Sequence, residues 1–152
     1  MTISGARIGV KMTNPSIVIV DADAIIAQAD FNDLHHLKAT KISESLVNSC
    51  ARVVYPSTAI AESNAYMQRV LNSTASAYGT AVAFTGAGVE IAEVNGETLK
   101  HALKYFSPTT SKKNTFFDCI IAAVAEDYGT DIIFSFDEFY KKNGFKLASE
   151  IK

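Results

Sequence analysis

The sequence has no apolar run long enough to cross a bilayer. Stretches such as Ile17–Val20 and Cys119–Ala125 fall far short of the ~18 residues a span needs, so no membrane partner is expected. It also lacks an apolar signal region: Met1–Pro15 is polar and contains glycine, which reads against secretion and for a cytoplasmic protein. Cysteine is scarce. Cys50 and Cys119 both sit in helix-like stretches, as expected of reduced, core-lining thiols rather than a disulfide or a metal pair. Internal repeats, low-complexity tracts and charge blocks are absent. So is any excess of positive charge, with 14 Lys and Arg against 16 Asp and Glu for a net −2. Taken at face value, that balance argues against a nucleic-acid partner, which usually shows a basic surface.

What is present suits one globular domain. A chain of 152 residues, 48% hydrophobic and 20% charged, buries roughly 70% of its unfolded surface and folds without a staple. The ordered pattern begins after Pro15. Residues 1–15 therefore read as a flexible N-terminal segment, with Met12 as an alternative start, and residues 16–152 as a single domain. Ile17–Val20 is a β-branched run typical of a strand buried on both faces. A helix is expected from an Asp33 N-cap to Cys50, with Leu34, Leu37, Ile42, Leu46 and Val47 at helical intervals. Arg52–Tyr55 reads as a strand and Pro56-Ser57 as the start of a helix to about Ser73. Ala81–Thr85 fits either a helix end or a strand, and Val89–Val94 a strand. Asn95-Gly96 leads into a helix through Phe106, and Ser107–Asn114 is a loop. Thr115–Tyr128 is a helix with Phe117, Ile120, Ile121, Val124 and Tyr128 on one stripe, stopped by Gly129. Asp131–Phe134, a short helix from Asp137 and a strand near Phe145–Ala148 follow. Alternating strands and helices imply a three-layer α/β/α domain with a mainly parallel central sheet.

Ligands of parallel sheets bind beyond the carboxyl ends of the strands. Asp21 and Asp23 follow the first strand, and Asp137 follows Asp131–Phe134. Asp118 borders the packed stripe of its helix, although Thr115-x-x-Asp118 also has capping-box spacing. Glu62, among Thr58, Ala59, Ala65, Tyr66 and Arg69, would pass alone for a solvated helix acid. Converging carboxylates repel unless a cation intervenes. Oxygen-only donors suit Mg²⁺ or Mn²⁺ and disfavour zinc.

The order and surroundings of these acids resemble the PIN-domain nucleases, and within them the VapC-type toxin ribonucleases. The matching stretches are IVIVDADAII (17–26), FNDLHHLKATKI (31–42), STAIAESNA (57–65), FFDCIIAAVAEDYGTDIIFSFDEF (116–139) and KKNGFKL (141–147). The most specific part is the C-terminal run, where an Asp opens a helix, a strand follows, and Ser-x-Asp-x-x-Phe or Tyr closes it. The resemblance implies metal-binding roles for Asp21, Glu62, Asp118 and Asp137, with Ser135 helping to orient the site. Asp23 stands where the family more often has Ser, Thr or Asn; it reads as an outer-sphere contact or a helix cap. His35 and His36 match a His-containing stretch and read as helix-start residues, positional or substrate-facing at most. His101 has no match and is expected to be exposed. The family chemistry implied is hydrolysis of an RNA phosphodiester by a metal-activated water, leaving a 5′-phosphate. A homodimer blocked by a small antitoxin is implied as well.

Lys112 and Lys113 are expected to hold the phosphate backbone, because Lys100, Lys104, Lys112 and Lys113 lie in a stretch from Glu97 to Asp118 that has no acid inside it. Without the four expected ligands, the balance of the remaining chain turns positive. Two rivals share the first acid pair. A haloacid-dehalogenase-type phosphatase would use Asp21 as nucleophile and Asp23 as acid/base, with Ser135 in its strand-end slot. Its Lys and its later acidic pair are not evident, since Glu126-Asp127 lies on a helix. A receiver-type domain would need a phosphorylatable Asp after a central strand. The non-enzyme reading is a catalytically silent PIN-like binding module.

Overall fold

Four β-branched residues in succession, Ile17–Val20, form β1, the middle strand of a five-stranded sheet. Such a run offers solvent no polar face, so it needs cover on both sides; Val18, Ile19 and Val20 are fully buried. The computed structural model describes residues 13–151, so Met12 and most of the expected flexible segment lie outside the described residues. β1 pairs in parallel with β2 (Arg52–Pro56) on one side and β4 (Ile132–Phe134) on the other. β3 (Glu90–Ala92) and β5 (Lys146–Leu147) complete the order β3-β2-β1-β4-β5, every ladder parallel.

Helices join the strands: α1 (Ala22–Ala29), α2 (His36–Asn48), α3 (Ser57–Arg69), α4 (Thr74–Phe84), α5 (Gly96–Ala102), α6 (Phe116–Asp127) and α7 (Phe139–Lys142). α1 packs on α2 and α3, α3 on α4, and α5 on α6. Right-handed connections carry the first group and the α5–α6 pair to opposite faces, which gives the three layers. The chain runs outward from β1 to β2 and β3, then returns across β1 to β4. Strand order therefore reverses at β1 and β4, the place where open parallel sheets form a crevice.

Several local expectations are corrected. The Ala-rich segment after Asp21 is the helix α1, capped by Asp21, whose Oδ1 accepts the Ala22 N–H at 2.7 Å; Asp23 lies inside its first turn. Asp33 does not cap α2. It forms a tight turn in which Oδ1 accepts from the His35 N–H at 2.7 Å, and α2 starts at His36. Leu34 and Leu37 are 92% and 76% exposed, and Val47 is exposed too; Ala39, Ile42 and Leu46 are the α2 residues that face the core. Residues 74–84 form one helix running through Gly79. Cys50 is exposed with φ 54°, whereas Cys119 is buried as expected. Phe117 is half exposed, because α6 buries small residues instead: Cys119, Ala122, Ala123 and Ala125 join Ile120, Ile121 and Val124. Gly129, at φ +67°, takes the left-handed turn that ends α6.

Candidate active site

Asp21 lies one residue past β1, and its N–H donates to the Phe134 carbonyl at 3.0 Å, which holds the ends of β1 and β4 together. Ser135 and Asp137 follow β4 directly, so they share that edge with Asp21. The Ser135 Oγ lies 3.1 Å from Asp21 Oδ2 and 2.9 Å from Asp23 Oδ2. A hydroxyl has one proton, so it serves one of the two carboxylates at a time. Asp21 Oδ2 also accepts from the buried Tyr140 hydroxyl at 2.7 Å. Asp23 Oδ2 accepts from the Phe136 N–H at 2.8 Å, while its Oδ1 is buried with no partner.

The other acids arrive from separate elements. Asp137 Oδ1 accepts from the Phe139 N–H at 2.9 Å, and Oδ2 from Asn114 Nδ2 at 2.9 Å. Asp118, in the first turn of α6, accepts the Thr115 N–H on Oδ2 at 2.7 Å. It thus caps its helix and faces the site; the two roles are compatible. Glu62, half-buried in the middle of α3, lies within electrostatic reach of Asp118 and Asp23. One turn before it, the Thr58 hydroxyl is buried and unpartnered.

Burial and mutual repulsion make Asp21, Asp23, Glu62 and Asp118 hold protons more tightly than usual. Asp21 is raised well above the ordinary carboxylate range by desolvation first and then by Asp23. Asp23 is pushed up to about 6, mainly by burial, and Glu62 to about 7 by burial and then by Asp118 and Asp23. Asp118 is raised by burial against the pull of its backbone hydrogen bond. Among the described residues, no Lys, Arg or His forms an ion pair with any of the five acids. A hard divalent cation would answer both the repulsion and the unpartnered Asp23 oxygen, and every donor here is an oxygen. Among the described residues, no three acids, histidines or cysteines are drawn together tightly enough to enclose an ion.

The carboxyl ends of the central strands thus link Asp21, Asp23, Ser135 and Asp137 by hydrogen bonds, with Asp118 and Glu62 within electrostatic reach of them. Lys112 and Lys113 stay outside this cluster, exposed on the loop before α6. His35 stacks flat on Phe136, with ring centroids 4.3 Å apart, and His36 Nδ1 lies 2.7 Å from the Ala27 carbonyl. His101 is not simply exposed: its two nitrogens meet Asp127 at 2.9 Å and Glu126 at 2.5 Å. Two site residues escaped the sequence reading. Tyr140 closes the Ser-x-Asp-x-x-aromatic run but was given no role there, and Asn114, next to the capping Thr115, carried no signal.

The PIN domain family profile matches residues 18–146. The fold is similar to that in the crystal structure of Mycobacterium tuberculosis VapC20, described as a Sarcin-Ricin loop cleaving toxin. The TM-score is 0.74 at 18% identity, over 85% of this chain and 96% of that one. No curated protein matches the chain. With the profile running from β1 to β5 and the fold matched over almost all of a second chain, this chain belongs to the PIN domain family.

Proposed function

We propose that the chain is a Mg²⁺- or Mn²⁺-dependent endoribonuclease, with Asp21, Glu62, Asp118 and Asp137 holding one or two ions. Ser135 and Tyr140 fix the Asp21 carboxylate from behind, and Asp23 serves as an outer-sphere acceptor. The observation that carries this reading is the convergence of five carboxylates from the end of β1, α1, α3, α6 and the end of β4, with no Lys, Arg or His paired to them among the described residues. When bound, a divalent ion supplies a water of lowered pKa and stabilises charge on the phosphate and departing oxygen. The residues of this chain then orient the ligands, exclude bulk water from the buried side of Asp21, and present the open side to a phosphodiester.

Likeness to VapC20 favours the toxin of a toxin–antitoxin pair, acting in the cytoplasm on structured RNA with unpaired bases, as a homodimer bound by a small antitoxin. Single-stranded RNA should be cleaved with Mg²⁺ or Mn²⁺, leaving 5′-phosphates, and Asp21→Asn or Asp118→Asn should slow cleavage at least about 100-fold. Undiminished cleavage by both variants would sink the proposed site. Failure of the unaltered protein to cut RNA with either metal would leave a silent binding module. A trapped Asp21 adduct with a phosphomonoester would favour a phosphatase instead, although both Asp21 oxygens are already engaged. Growth arrest on induction, a co-purifying small inhibitor and a dimeric mass in solution test the toxin reading. Harmless expression with no inhibitor would count against it.

A further inference from the structure

We infer that the cleft between the end of α5 and the start of α6 is a base-binding subsite, which takes one unpaired nucleobase of the RNA beside the scissile phosphate. The inference rests on the ribonuclease reading above and adds the part of the substrate that this chain would read.

The cleft has a volume of about 640 Å³ and is walled by Leu103, Phe106 and Phe116, with Lys112 and Asn114 toward the loop. That size falls within the roughly 300–1,000 Å³ of small-ligand pockets. The Phe106 and Phe116 rings lie 5.3 Å apart at 47°, and Phe106 is 41% exposed while Leu103 is 59% exposed. An uncovered aromatic face in a cleft is what an unstacked base seeks. The cleft is also contiguous with the acids. Asn114 lines it and donates to Asp137 at 2.9 Å, while Thr115 lines it and donates to Asp118.

Charge around the cleft agrees. Lys100 and Lys104 are spent on Glu97 and Glu126, whereas Lys112 and Lys113 form no ion pair among the described residues. They stand on an acid-free stretch, free to meet the phosphates flanking a bound base. The rim is shaped beforehand, since the Ser107 N–H donates to Thr110 Oγ1 at 2.9 Å across Pro108. A base held in a duplex cannot reach an aromatic wall of this kind, so the ligand is single-stranded or looped RNA.

The chain contains no tryptophan, so Phe106→Trp installs a single fluorescent reporter that keeps an aromatic platform. Combined with Asp118→Asn to prevent cutting, it should be quenched saturably by a five-nucleotide single-stranded RNA. The same oligonucleotide made abasic, or paired into a duplex, should quench it little. Phe106→Ala should bind the fluorescently labelled RNA about five- to hundredfold more weakly and raise KM for cleavage more than it lowers kcat. Equal quenching by the abasic strand, or no quenching by either, overturns the subsite, as does unchanged KM in Phe106→Ala. Quenching by a co-purifying protein but not by RNA overturns it in favour of a protein-docking cleft. The two readings fail separately. Base-dependent quenching in a protein that never cuts RNA would leave the subsite and remove the nuclease. Metal-dependent cleavage indifferent to Phe106 would do the reverse.

Discussion

Tyr140 shows how much one hydroxyl decides here. Among the described residues it is the largest fully buried side chain, and its oxygen lies 2.7 Å from Asp21 Oδ2. Burial and the neighbouring Asp21 and Asp118 raise its own pKa, so it stays a donor. Removing one partner of a buried hydrogen bond costs about 1–3 kcal/mol. Tyr140→Phe should therefore lower the stability of the metal-free protein by roughly that amount in urea unfolding. It should also raise the Mg²⁺ concentration needed for half-maximal cleavage by about 10–100-fold, as loss of outer-shell partners does. Unchanged stability and unchanged Mg²⁺ demand would mean that the hydroxyl does not orient Asp21. Neither Tyr140 nor Asn114 was legible as a functional residue, because a neutral side chain in an aromatic run or a polar loop has no pattern that separates donors from bystanders.

Between elements, the joint of α5 and α6 matters most, because α6 carries Asp118. His101 spans Glu126 and Asp127, and Glu126 also takes Lys104 at 2.6 Å and the Tyr105 hydroxyl. Burial alone would lower the His101 pKa, yet the hydrogen bonds its ring donates to Glu126 and Asp127 outweigh it and leave the pKa raised. Glu126 is held down at about 2, by Lys104 first and then Tyr105. A raised histidine pKa stabilises fully below the unfolded value of roughly 6.5 and loses its effect as pH rises through the folded value. The thermal midpoint of His101→Gln should thus trail the unaltered protein most at about pH 6, by roughly 2–4 °C for a pair near 1 kcal/mol. The gap should narrow toward pH 9; a constant gap would refute the ionic contribution. Element by element, sequence periodicity served best where burial was two-sided. β1, β4 and α6 are apolar runs with few alternatives. α2 misled, because Leu34, Leu37 and Val47 sit at helical intervals and still face outward, and periodicity alone does not say which stripe the core takes. α1 and α4 were obscured by Ala, Gly, Ser and Thr, whose weak amphipathicity leaves little signal.

For the whole molecule, the net charge of −2 hides an uneven distribution, with acids gathered at the sheet edge and lysines on the loop beside it. The acidic site was legible as an ordered series, Asp21 to Asp137, although distance in sequence conceals which side chains touch. Like charges held together cost stability until a cation arrives. Asp118→Asn, whose amide oxygen can still accept the Thr115 N–H, should raise the thermal midpoint in chelator. Added Mg²⁺ should raise the midpoint of the unaltered protein, by an amount equivalent to about 2.7 kcal/mol at 100 times Kd, and barely move the variant. An equal Mg²⁺ response in both would place the ion elsewhere. The strand order has a further consequence, in time rather than space. β1 pairs with β4, and Asp21 meets Ser135 and Tyr140 across 114 and 119 residues. During synthesis from the N-terminus, a growing chain therefore carries Asp21, Asp23 and Glu62 long before their partners leave the ribosome. The proposed site therefore stays unassembled while the chain is being made, and closes only once the last strands follow.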